Sequence, residues 1–273
     1  LRYTMIVEGQ ENLKVFFAGA ENKGHFEVYK NCGVKYSLYS AYGFIKTGFK
    51  KSDIPDYIIR NQRRVIQDSG LFTLMYGSHK IVSPKREIEE WYAKLVDFTN
   101  SLEKKPIVVE VDCQKITGVE HAWDLRERMK KDLPGVRQIN VLHVDDGQKG
   151  MDRMIEFSDY IALALPISRC NRMKEYFVKA SNYIKSKKPE IDIHLLGMTD
   201  LDVLSRLKFC TSADSTSHLS FVRYGYIGGK SIKNIDIDRL NDKFLSKNKT
   251  SLCASLGVYH RLNDYRKRVG NQN

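Results

Sequence analysis

Residues 107–145 read IVVEVDCQKITGVEHAWDLRERMKKDLPGVRQINVLHVD, and this stretch decides the fold class. Two short apolar, β-branched runs, Ile107–Asp112 and Ile139–Asp145, bracket a helix-like segment over about Val119–Leu133. A strand, a crossover helix and a second strand imply parallel pairing. Working outward, the alternation continues. Strands are expected at Lys14–Ala18, Lys35–Ser40, Val65–Asp68, Tyr160–Leu165, Ile191–Leu196 and Phe209–Asp214. Helices are expected at Arg86–Lys104, Met151–Ser158, Asn171–Lys187 and Asp200–Leu207. The first of these carries Ile88, Trp91, Tyr92, Leu95, Phe98 and Leu102 on one face, and Ser83 followed by Pro84 marks its start. Eight such strands predict a (β/α)8 TIM barrel, with a doubly wound open sheet as the alternative. No Gly/Ser-rich or Pro-rich linker interrupts the chain, so residues 1–273 are expected to form one domain. Residues 231–273 are read as a basic C-terminal extension carrying Lys243, Lys247, Lys249, Arg261, Arg266, Lys267 and Arg268. These would line a phosphate backbone or simply form a solvated helix face.

The chain has 45 Lys and Arg against 33 Asp and Glu, a net charge of +12. Such a balance suits a polyanionic partner, nucleic acid first, because neutralised phosphates release counterions. The plainer reading is a charge that serves solubility alone. Cys32, Cys113, Cys170, Cys210 and Cys253 are too irregularly spaced for a CxxC pair or a disulfide framework, which suggests a reducing, cytoplasmic setting. No apolar stretch approaches the length of a membrane span. There is no P-loop and no GxGxxG, so no nucleotide cofactor is expected.

In a barrel of this kind, chemistry sits at the C-terminal ends of the strands. Four of the runs end in a carboxylate: Asp68, Asp112, Asp145 and Asp214. Any one of them could be a helix N-cap. Together they suit a division of roles, one kept ionised and another moving protons, as reactions at a glycosidic carbon require. His143 and Asp145 alternate on one strand and would point the same way, which leaves a metal pair conceivable. No metal is expected.

Two segments carry a family resemblance. Val65–Gly77 reads VIQDSGLFTLMYG, and Ile191–Asp214 reads IDIHLLGMTDLDVLSRLKFCTSAD. The first resembles the Asp-Ser-Gly-Gly-aromatic-Gln segment of the tRNA-guanine transglycosylases. The second is similar to that family's Leu-Met-Gly segment with the helix and nucleophile strand that follow. The likeness runs from about Val65 to Arg223. It implies that Asp214 is the nucleophile attacking ribose C1′, and that Asp68 handles the proton of the leaving and incoming bases. Ser69 and Gly70 would shape the pocket wall. Phe72 would stack on one face of the base, and Leu196, beside Gly197, would cover the other. Asp112 would read the purine N1/N2 edge, and His143 or Asp145 would stand where a Gln reads O6. Ala162 and Leu163 would lie near a backbone segment on the same edge. Base exchange of this kind uses no cofactor.

The departures from the family point to its shorter DNA-acting members. The second Gly of the motif is Leu71, the Gln is Thr73, and Ser215, Thr216, Ser217 and His218 follow the nucleophile position. Cys253 and His260 do not form the family's zinc motif. The resemblance therefore implies the compact phage enzymes that place 7-deazaguanine bases, such as 7-cyano-7-deazaguanine (preQ0), into DNA, acting in the host cytoplasm. DNA is expected ahead of tRNA as partner, with a free 7-deazaguanine base as co-substrate. No membrane association is expected, and a homodimer is an open option. A guanine in duplex DNA must be flipped out of the stack to be reached. Arg169, Arg172, Lys174 and Arg223 are the expected phosphate contacts, with Tyr224 or Tyr226 against a neighbouring base. Three alternatives remain: the same exchange on tRNA, hydrolysis of the N-glycosidic bond, and a basic barrel that binds nucleic acid without catalysis.

Overall fold

All eight expected strands form, each pairs in parallel with the next in sequence, and the last returns to the first. They are β1 Lys14–Ala18, β2 Tyr36–Ser40, β3 Arg64–Asp68, β4 Ile107–Val109, β5 Gln138–Leu142, β6 Tyr160–Leu163, β7 Asp192–Leu195 and β8 Ser212–Ser215. The β1–β8 register, Lys14 opposite Ser212 through Phe17 opposite Ser215, closes the sheet and removes the open-sheet alternative. The computed structural model describes residues 13–48, 53–76, 82–164, 171–198, 200–227, 230–231, 249–270 and 272.

The helices are α1 Lys23–Asn31, α2 Tyr42–Thr47, α3 Ile54–Asn61, α4 Leu71–Tyr76, α5 Pro84–Ser101, α6 Gln114–Thr117, α7 Val119–Asp132, α8 Gly147–Phe157, α9 Asn171–Lys187, α10 Leu201–Arg206, α11 Ser220–Tyr224 and α12 Lys249–Val269. The two-residue period of the strands divides the apolar residues between two cores. Phe16, Ala18, Tyr36, Leu38, Ile66, Val109, Ile139, Val141, Tyr160 and Ala162 fill the barrel. Their neighbours Val15, Phe17, Val65, Val108 and Ile193 face outward and pack under the helices. The amphipathic face of α5 is as expected: Ile88, Trp91, Tyr92, Leu95 and Phe98 are buried. No helix among the described residues is long and apolar enough to cross a membrane.

Four strands end sooner than the sequence suggests, and β4 and β5 fall short by the most. β4 stops at Val109, and Glu110, on the same outward face as Val108, is buried against Arg126 and bonded to it at 2.8–2.9 Å. β5 stops at Leu142, and residues 144–146 form one turn of 3-10 helix. That turn is fixed by a reciprocal cap in which the His143 N–H donates to Asp146 at 2.8 Å.

Of the two forms expected for the basic extension, the described part takes the second, a helix with a solvated basic face. Its described part, α12, packs on α1, α10 and α11 and closes the helical ring between β8 and β1. Leu252, Ala254, Leu256, Val258, Leu262, Tyr265 and Val269 are buried on that face. The helix runs antiparallel to the strands, so its C-terminal end lies at the barrel floor. There Gln272 donates to the Leu13 carbonyl at 3.0 Å and accepts from the Val15 N–H at 2.8 Å. Arg266, Lys267 and Arg268 are thus exposed at the end opposite the strand C-termini, where they complement the helix dipole. Lys243 and Lys247 lie outside the described residues, as does the Lys249 side chain. Arg261 is held by Asp264 at 3.2 Å.

Candidate active site

The C-terminal ends of the strands carry a group of acidic side chains. Asp68 ends β3, directly opposite Ser40 at the end of β2. Its carboxylate accepts from the Gly70 N–H at 2.9 Å and from the Ser40 hydroxyl. Gly70 is required for this turn. Its φ is +75°, and a Cβ would sit 2.7 Å from the Tyr42 backbone nitrogen. The Ser69 carbonyl accepts from the Trp91 indole at 2.9 Å, which anchors the same turn to α5.

Asp214, one residue before the end of β8, points into the barrel mouth and is 9% exposed. Its Oδ1 accepts from the Gly197 N–H at 2.6 Å and lies 3.3 Å from His194 Nε2. Burial pushes the Asp68 pKa up to about 6, and the negative charges of Asp214 and Glu21 push in the same direction. The turn after β7 brings Gly197 to Asp214 with φ +60°.

Glu21, just beyond β1, joins this group, although no apolar run ends at it in the sequence. It accepts from the Ser40 N–H at 3.2 Å, so Ser40 bridges Glu21 and Asp68. Burial raises its pKa as well. The signal was an acidic residue after a strand, hidden because Glu21 lies three residues beyond Ala18 and not at its end. His194 was not among the expected site residues either. Counting by two from Leu196 places it on the inward face, where a polar side chain in a core strand is unusual.

On the far side of the mouth Asp112 and His143 pair at 2.8 Å. Burial works against the charged imidazole, but the hydrogen bond and charge of Asp112 outweigh it and raise the His143 pKa. Asp145 is not part of this site. The 3-10 turn after β5 rotates it away from His143 to an exposed ion pair with Lys115. The expectation that His143 and Asp145 share one strand face is therefore corrected.

Phe72 lies in the first turn of α4, exposed, with its ring 5.0 Å from that of Tyr76. Leu196 is half-buried over the barrel filling, and Ala162 is part of that filling. Leu163 faces the outer core, and its carbonyl is taken by the Leu196 N–H, so it offers nothing to the mouth. Of the expected phosphate contacts, Arg223 is exposed on α11, in the segment that follows β8. Lys174 is engaged instead with Asp200 at 2.5 Å, a carboxylate that also caps α10. Arg169 and the Arg172 side chain lie outside the described residues. Tyr224 and Tyr226 are exposed, with ring centroids 6.2 Å apart.

No family model matches this sequence, and no curated protein matches it. Among solved structures it is similar to a fructose-bisphosphate aldolase of Campylobacter jejuni at 10% identity and a TM-score of 0.50, covering 94% of this chain and 90% of that one. It is also similar to a protein described as native KDPGal, at 10% identity and a TM-score of 0.47 over 95% of this chain and 97% of that one. A thermostable mutant xylanase of Cellvibrio japonicus matches at 10% identity and a TM-score of 0.43 over 74% of this chain and 85% of that one. At such identity the likeness is one of fold, the TIM barrel.

Proposed function

We propose that this barrel exchanges guanine in DNA for a 7-deazaguanine base through a covalent Asp214–nucleotide intermediate. One observation carries the reading. Two carboxylates on neighbouring parts of the mouth differ in setting: Asp214 is held by donors on one oxygen, and Asp68 has its pKa raised to about 6. Asp214 attacks C1′ and forms a C1′–O bond as the C1′–N9 bond breaks. The electron pair leaves with guanine, which takes the proton of the Asp68 carboxylic acid. The incoming base then gives its N9 proton to the Asp68 carboxylate. Its nitrogen attacks C1′ and releases the Asp214 carboxylate. A proton carrier with a pKa near 6 serves both directions close to neutral pH. Asp112 and His143 offer an acceptor and a donor to the polar edge of the base. Phe72 and Leu196 offer apolar surface for its faces.

The test is incubation with guanine-containing duplex DNA and labelled guanine or 7-cyano-7-deazaguanine, with tRNA in parallel. Label should enter DNA, and Asp214→Asn should reduce entry by roughly 10⁴-fold or more. Label entering tRNA alone would retain the chemistry and move the substrate. Guanine release with no incorporation would replace exchange by hydrolysis. DNA binding with no turnover at all, unchanged in Asp214→Asn, would leave a binding barrel.

A further inference from the structure

A line of polar side chains descends through the largely apolar barrel from Asp214. His194 Nε2 lies 3.3 Å from Asp214 Oδ1, and His194 Nδ1 lies 2.5 Å from Ser212 Oγ. Ser212 Oγ in turn lies 2.5 Å from Tyr160 Oη. His194 is 0% exposed, and Ser212 and Tyr160 are each 1% exposed. Polar groups so placed are costly unless bonded, and here each bonds to the next.

The hydrogen positions follow from counting donors. Tyr160 Oη has no other hydrogen-bond partner among the described residues, so its hydrogen goes to Ser212. Ser212 has one hydrogen and must then give it to His194 Nδ1. The imidazole proton is left on Nε2, facing the carboxylate. The reverse order would leave the tyrosine hydrogen buried without an acceptor and set a bare nitrogen lone pair against Asp214. Gly197 adds a second donor to the same oxygen at 2.6 Å. Oδ2 accepts no hydrogen bond from the described residues.

Resting on the reading of Asp214 as nucleophile, we propose that Tyr160, Ser212 and His194 form a positioning relay that holds Oδ1 and leaves Oδ2 as the attacking oxygen. The relay orients the carboxylate before substrate arrives, so the reaction does not have to order it. Ser212 and Asp214 are alternate residues of one strand, and His194 pairs directly with Ser212 across the β7–β8 ladder. The strand register itself therefore sets the geometry.

Two measurements on the full chain test this. In the first, ¹⁵N-histidine NMR of the unliganded protein should show His194 as the neutral Nε2–H tautomer, and Tyr160→Phe should disturb it. An Nδ1–H tautomer in the wild type would overturn the proposal. In the second, single-turnover label transfer to DNA should fall roughly tenfold to hundredfold in His194→Phe at unchanged DNA affinity, because one hydrogen bond to a charged group is lost. His194→Gln keeps an N–H donor and should recover most of the rate. A His194→Phe rate within twofold of the wild type would also overturn the relay. Should His194→Phe fail to fold, His194→Gln and Tyr160→Phe carry the kinetic arm. A wild type that labels neither polymer refutes the exchange reaction and with it the attacking role of Oδ2, and the tautomer then decides only whether the relay holds Oδ1.

Discussion

At the mouth of the barrel Asp68 holds a raised pKa at a cost to stability near neutral pH. Its folded pKa, about 6, lies above the usual carboxylate value. The folded state therefore holds the proton more tightly than the unfolded chain does. The stabilisation this gives is fully present below about pH 4 and is lost as the pH rises through about 6. Asp68→Asn removes the dependence. It should raise stability at pH 7.5 by about 1–2 kcal/mol, the partial exposure of the group holding the gain below the full shift. At pH 4 it should change stability little. Base exchange should fall roughly 10²- to 10⁴-fold in the same variant. Thermal unfolding at both pH values, with the label assay, checks this, and a variant less stable at pH 7.5 would contradict it. Asp68 and Asp214 were legible from the sequence because each ends an apolar run in a charge. Glu21 was not, since nothing in a sequence tells that a loop residue folds back onto Ser40.

Among the elements, α12 is closely fitted against the segment after β8. A Cβ on Gly257 would lie 1.9 Å from the His218 carbonyl oxygen, so the helix touches the segment after β8 backbone to backbone. Gly257→Ala must push the helix outward and should cost about 1–3 kcal/mol in urea unfolding, the usual range for overpacking. Because His218 follows directly on the Asp214 strand, base exchange should fall as well. Full stability in that variant would mean that the helix is seated less closely. His218 itself is buried and neutral, its pKa pushed down to about 3 by desolvation and by the positive charges of His25 and Arg223. The strands were legible as apolar runs between turns, and the long helix α5 by its buried stripe. The end of β5 was not. His143 and Asp145 look like alternate strand residues, but the cap between His143 and Asp146 is a local competition that periodicity does not register. The role of α12 was likewise hidden, because its composition is basic while its position is set by which gap in the ring stays open.

Across the whole molecule, the net charge of +12 is a sum that conceals where the charge lies. Arg223 sits on the helix that follows β8, whereas Lys267 and Arg268 project near the floor. If DNA meets the mouth, Arg223→Glu should weaken binding and lower the salt slope by about one phosphate contact, near 0.9 in log–log terms. The double change Lys267→Glu with Arg268→Glu should leave affinity within about twofold. Titrations of duplex DNA at several salt concentrations separate these outcomes, and equal losses in both variants would place the contact elsewhere. Eight strands closing in sequence order follow from the alternation of strand and helix; the polar line inside them needed the register. The bond between Gln272 and β1 joins positions 257 residues apart. During synthesis β1 emerges first, yet its seam with β8 cannot be latched until the other end of the barrel has left the ribosome. Through that interval β1 presents an open strand edge to the cell, and its protection then depends on chaperones and on the speed of translation, not on the native contacts that later cover it.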